Sequence, residues 1–168
     1  MAYQFDNVRV LIVEDNKHMA RLVRTLLAAI GLGNIQIARD GTEAFEALQN
    51  NSFDLMITDL AMRPIDGLEM TRMIRNSEDS PCPTIPIIMM TGHSERHLVE
   101  EARDAGANEF LCKPLTAQNL YQRIVSVVEQ PRMFVRTSAF FGPDRRRRVD
   151  EAYAGAERRI AAPLAVHA

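Results

Sequence analysis

Two cysteines, two lysines and no tryptophan occur among 168 residues. Cys82 and Cys112 are too few for a disulfide scaffold and lie at no metal-ligand spacing, so they read as reduced, buried thiols of a cytoplasmic protein. No window holds the roughly 18 continuous apolar residues that a membrane span requires. The first ten residues also lack the basic start and apolar centre of a signal peptide. Of the 20 basic residues 18 are arginine, leaving Lys17 and Lys113, so each lysine merits inspection even though genomic base composition alone can make lysine scarce.

What is present is globular. Hydrophobic residues make up 46% and charged residues 25%, which excludes disordered and collagen-like classes. The length suits one ordinary domain with about 40 residues to spare. The formal charge of −2 argues against a polyanion binder until it is divided along the chain. Through Glu129 there are 12 basic and 18 acidic residues; from Gln130 onward there are 8 arginines and 4 acids. An acidic domain, net −6, carries a basic tail, net +4.

Within residues 1–130, short apolar runs alternate with segments of helical period, the pattern of βα units around a parallel sheet covered on both faces. Val8 to Val13, Ile35 to Ala38, Phe53 to Thr58, Pro86 to Met90 and Asn108 to Cys112 read as five strands. Helices follow them. The first carries the stripe Met19, Leu22, Val23, Leu26 and Leu27, and the third carries Leu68, Met70, Met73 and Ile74. The fourth runs from near Ser94, a candidate N-cap, to Asp104, and the fifth from Thr116 to Val128. The methionine pairs Met70 and Met73, and Met89 and Met90, read as core. His18, His93, His97 and His167 read as surface residues.

In open α/β sheets, ligands bind outside the carboxyl ends of the strands. Here those ends are polar: Glu14 and Asp15 after the first strand, Asp59 after the third, Thr91 after the fourth and Lys113 after the fifth. Clustered carboxylates resist ionising together unless a cation joins them. Mg²⁺ suits such a set, since it takes one or two carboxylates and leaves room for a phosphate oxygen. A carboxylate can attack phosphorus, and phosphoryl transfer needs chiefly positioning and charge neutralisation, which an ammonium and a hydroxyl nearby would supply. The bland alternative, a solvated acidic rim, does not account for Thr91 and Lys113.

The stretches VLIVEDN (Val10 to Asn16), DLAMRPIDGLEM (Asp59 to Met70), MTGHSE (Met90 to Glu95) and FLCKPL (Phe110 to Leu115) resemble the receiver domain of two-component response regulators. The resemblance implies an α/β fold with a doubly wound five-stranded parallel sheet in the order 2-1-3-4-5. It implies that Asp59 accepts phosphate from a histidine kinase or phosphotransfer protein. It further implies that Glu14, Asp15 and Asp59 hold Mg²⁺, that Thr91 and Lys113 sense the phosphoryl group, and that Phe110 is a switch aromatic without a tyrosine's hydroxyl. Such a protein is a signalling regulator with self-catalysed phosphotransfer at most, not an enzyme. A cis peptide before Pro114 is also implied. One departure is the loop after Asp59, where Arg63 stands at the family's usual proline position and Pro64 follows; Ala61 and His93 match positions that in the family look toward the phosphate and tune its lifetime.

Pro131 closes the domain, and residues 131–168 read as an extension, mobile without ligand, with a short helix near 149–161. The run Arg145 to Arg148 admits three readings: a solvated charge block, a polynucleotide arm, or a guanine-nucleotide site. A polynucleotide is not expected, because one cluster on an acidic domain is a poor footprint beside a basic face. Arginine forks can bond guanine edges bidentately, pair with phosphate and stack on bases. The string PRMFVRTSAFFGPDRRRR (Pro131 to Arg148) resembles the arginine-rich extension of alphaproteobacterial CheY-like cyclic di-GMP effectors that act on the flagellar motor switch protein. That resemblance implies a cyclic di-GMP site at Arg136, Asp144, Arg145, Arg146, Arg147 and Arg148. The competing expectation is a stand-alone phospho-receiver, acting as relay, sink or chemotaxis regulator through Asp59 alone, with the tail a protein-contact or solvated segment.

Overall fold

The near-continuous apolar runs become the central strands, buried on both faces, while the edge strand Asn34–Ala38 alternates between exposed and half-buried residues before ending at buried Ala38. β1 (Arg9–Val13), β2 (Asn34–Ala38), β3 (Leu55–Asp59), β4 (Ile87–Thr91) and β5 (Glu109–Cys112) form one parallel sheet in the order β2-β1-β3-β4-β5. The computed structural model describes Phe5, residues 7–92 and 96–145, and the backbone of Arg159–Ala161. Ile12 of β1 pairs with Ile37 of β2 and Ile57 of β3, and Met89 of β4 pairs with Phe110 of β5. Parallel neighbours need crossovers, and helices supply them.

Those helices are α1 (Lys17–Ala29), α2 (Gly41–Asn50), α3 (Gly67–Asn76), α4 (Arg96–Ala105) and α5 (Ala117–Glu129). Their starts are set by side chains that accept orphan N–H groups: Asn16 for α1, Asp40 for α2, Asp66 for α3 and Thr116 for α5. Ser94, expected to cap α4, lies outside the described residues. Val23 and Leu27 of α1 pack with Leu120 and Ile124 of α5 on one face of the sheet. Ala44 and Leu48 of α2 and Met70 and Ile74 of α3 cover the other.

Three expectations change. Met73 is 39% exposed and Leu22 43% exposed, because each lies at the edge of its helix's apolar stripe while Met70, Ile74, Val23 and Leu27 face the sheet. Cys82 and Cys112 are free thiols but only half-buried. The third change is larger and concerns the extension.

Residues 131–145 are packed on the domain. β6 (Phe134–Arg136) and β7 (Phe141–Pro143) form an antiparallel hairpin, with Thr137 N–H donating to Phe140 O across the turn at 2.8 Å. Phe134 and Phe141 are buried, their ring centroids 5.4 Å apart. The segment has no helical or strand period because its two strands are only three residues long, with burial falling from Phe134 to Arg136 along β6 and complete along β7. The helix expected near 149–161 is corrected at its end, where Arg159–Ala161 form β8 and pair with β6; residues 146–158 lie outside the described residues.

Candidate functional site

The sheet places the site. Glu14 follows β1 and its N–H still pairs with Ala38 O of β2, so the carboxylate leaves the sheet at a fixed point. Asp59 ends β3, with the next N–H, of Leu60, bonded to Met90 O. Thr91 ends β4, and the N–H of Lys113, the residue after β5, donates to Thr91 O at 2.7 Å, which ties the end of β5 to the end of β4. Lys113–Pro114 is cis, as the resemblance implied; Arg63–Pro64 is also cis.

Glu14, Asp59 and Thr91 are 2%, 4% and 2% exposed, whereas Asp15 is exposed. One carboxylate oxygen from each of Glu14, Asp15 and Asp59 lies within 4.8 Å of the other two. Lys113 Nζ stands 2.8 Å from Asp59 Oδ1 and 3.5 Å from Glu14 Oε2. Both of those oxygens are buried, with the Lys113 ammonium as their cationic neighbour. Burial, then the Asp59 charge, raises the Glu14 pKa above the ordinary carboxylate value, against the pull of Lys113. Burial lowers that of Lys113, but the Asp59 contact and then Glu14 outweigh it and hold the ammonium above its usual range.

Three carboxylates against one ammonium leave the pocket negative, with two buried oxygens short of donors. Oxygen-only ligands in this number fit a hard divalent cation such as Mg²⁺. Gly67, which starts α3, is part of the same construction: a Cβ there would lie 2.3 Å from Asp59 O, so only glycine lets α3 begin against the end of β3.

With this geometry in place, comparison decides the family. A model of the response regulator receiver domain matches residues 10–125. This chain belongs to the receiver domain family. The receiver is similar to the chemotaxis protein CheY-3 of Vibrio cholerae, 34% identical over 124 residues, covering 74% of this chain and 94% of that protein. It is likewise 34% identical to the chemotaxis protein CheY of Pseudomonas aeruginosa over 123 residues, covering 73% and 98%. Among solved structures it is similar to Vibrio cholerae CheY4 (TM-score 0.65, 28% identity, covering 71% of this chain and 98% of that one). It is also similar to the receiver domain of a Pseudomonas aeruginosa sensor histidine kinase with magnesium coordinated in its active-site cleft (TM-score 0.61, 28% identity, covering 71% and 94%). The receiver is thus a CheY-like response regulator of two-component signalling, and receivers bind Mg²⁺ at an acidic site. Receiver domains are signalling regulators, not enzymes. No helix among the described residues is long and apolar enough to cross a membrane.

Phe110 is half-buried beside Leu68, Met89 and Ala102, at the α4 side of the receiver. The residues expected to hold a dinucleotide are only partly brought together. Arg136 stacks on Phe141 at 4.0 Å and Arg145 on Phe140 at 4.2 Å. Asp144 is half-buried, its N–H bonded to Met133 O, and Arg146 to Arg148 lie outside the described residues.

Sequence reasoning missed Arg75. This α3 residue is 1% exposed, donates to Gly106 O, Pro83 O and Asn108 Oδ1 at 3.0, 2.8 and 3.1 Å, and lies 5.0 Å from the centre of the Phe134 ring. It also missed Glu109, a buried carboxylate held by Arg123, Arg132 and Ser126. The partners of both are remote in sequence, and no local pattern marks them.

Proposed function

We propose that Asp59 is the phosphoacceptor, receiving its phosphoryl group from a histidine kinase or a phosphotransfer protein. The observation that carries this is Lys113 Nζ at 2.8 Å from Asp59 Oδ1 inside a three-carboxylate cluster. An Asp59 oxygen attacks phosphorus, the phosphorus–nitrogen bond to the donor histidine breaks, and the imidazole leaves with its electron pair and takes up a proton. Glu14, Asp15 and Asp59 would hold Mg²⁺, which neutralises charge on the transferring group. Lys113 is placed to move from carboxylate to phosphoryl oxygen, and the Thr91 hydroxyl to bond another. Transfer from a phosphorylated phosphotransfer protein should require Mg²⁺ and stop in EDTA; label transfer at full rate in EDTA contradicts the reading.

The relatives named as chemotaxis proteins support the flagellar motor switch as the output partner. The arginine-rich tail supports a cyclic di-GMP effector: Arg145 is exposed on the face of Phe140 and three further arginines follow it. A second reading is favoured by the packing of residues 131–145, which suits a structural extension of a stand-alone receiver switched at Asp59 alone. Calorimetry of the full chain with cyclic di-GMP separates the two. Heat with saturable stoichiometry supports the effector, and none supports the stand-alone receiver.

A further inference from the structure

The face between α4, β5 and α5 holds a groove of about 690 Å³ into which Arg103, Arg123, Arg132 and Arg145 all project. They come from four different places: α4, α5, the linker after α5, and the end of the hairpin. Docking of residues 131–145 on the receiver is what brings the last two to the first two.

The arginines are grouped in pairs, each converging on one carboxylate. Arg123 Nη1 and Arg132 Nη2 reach the two oxygens of Glu109 at 3.3 and 3.2 Å. Arg103 Nε and Arg145 Nη1 reach Asp104 Oδ1 at 3.4 and 3.3 Å. Each group sums to one positive charge. Two arginines share a single carboxylate in each case, so fork N–H donors remain over for an anion. Phe110 and Asn119 line the same groove, giving an apolar wall and an amide to an organic ligand.

We propose that this groove forms a site for a cyclic dinucleotide, one phosphodiester at each arginine pair. The inference rests on the dinucleotide reading above and adds Arg103, Arg123 and Arg132, which lie outside the run. Two singly positive groups on one groove match a ligand with two singly charged phosphates and an apolar body. An acidic peptide would place many charges where the groove offers two.

The test is calorimetry with cyclic di-GMP on the full chain, on Arg103→Ala and on Arg123→Ala, at fixed salt. Each variant should bind at least tenfold more weakly, and Arg103→Ala, whose partner Asp104 is exposed, should unfold at the wild-type urea concentration. Because Arg123 also holds Glu109, amide shifts of the wild-type protein on titration provide a readout that needs no variant. Shifts at residues 99–110 and 119–123 are expected. Wild-type binding with unchanged variants, or with shifts confined to residues beyond 145, overturns the groove and leaves the effector reading standing. No wild-type binding overturns both.

Discussion

Arg75 of α3 lays its guanidinium over the ring of Phe134, 5.0 Å from the centroid, and so joins the receiver to the chain beyond it. The contact continues outward: Phe134 meets Phe141, and Arg136 lies over Phe141 at 4.0 Å. Two cations thus each meet one of two touching rings, one cation buried and one exposed. Burial pushes the Arg75 pKa down to about 9, so it remains a cation at neutral pH. Three neutral oxygens and an aromatic face solvate it in place of water. Gly106 permits this, since its φ of +106° disfavours other residues and a Cβ would lie 2.9 Å from Arg75 Cγ.

The hairpin should therefore be part of the folding unit. Phe134→Ala is expected to cost about 3–5 kcal/mol, the usual range for emptying a buried phenyl site. A chain ending at Gln130 should lose at least as much, because it uncovers Arg75 while removing both rings. Urea denaturation reads both; unfolding of the shortened chain at the full-length midpoint would show that the hairpin merely rests on the surface.

Glu14 opposes stability to serve charge. Its folded pKa is raised, so its contribution is fully present below the unfolded value of 4.5 and is lost as pH rises through the folded one. At neutral pH and without Mg²⁺, Glu14→Gln should melt several degrees above wild type, and the gap should close below pH 4.5. Adding Mg²⁺ at a hundred times its dissociation constant should stabilise wild type by about 2.7 kcal/mol and the variant much less. A variant that melts lower than wild type in EDTA contradicts this assignment.

Lys113 works in the opposite direction. Its folded pKa is raised, so the stability it contributes is present below 10.5 and is lost as pH climbs through the folded value. Lys113→Met leaves two buried carboxylates without their ammonium and should cost about 3 kcal/mol at neutral pH. Its thermal stability should also fall less steeply above pH 10.5 than that of wild type, which equal alkaline slopes would contradict.

Gly67→Ala puts a methyl against Asp59 O and must shift α3, the end of β3, or both. The expected result is a large drop in phosphorylation rate with Mg²⁺ affinity reduced as well. Wild-type rates in a folded Gly67→Ala protein would mean that the close approach does not position Asp59.

The receiver was legible because its signals are local. Strand runs such as Val10 to Val13, the stripes of α1 and α3, and the polar residue after each strand lie contiguous in sequence, and they marked the strands and helices and the polar strand ends, while the sheet order came from the family resemblance. The extension was not legible in the same way. Its strands are three residues long, and its order depends on Arg75, nearly sixty residues upstream of Phe134, and on Gly106. The arginine pairs of the α4–α5 groove were hidden for the same reason: Arg103, Arg123, Arg132 and Arg145 become neighbours only after two helices and a hairpin have docked.

Asp59 is proposed to take the phosphoryl group with Lys113 beside it. Intact-mass measurement after incubation with acetyl phosphate and Mg²⁺ tests it most directly. A single phosphoryl adduct on wild type, absent from Asp59→Asn and from wild type in EDTA, is the predicted result; an equal adduct on Asp59→Asn would contradict it.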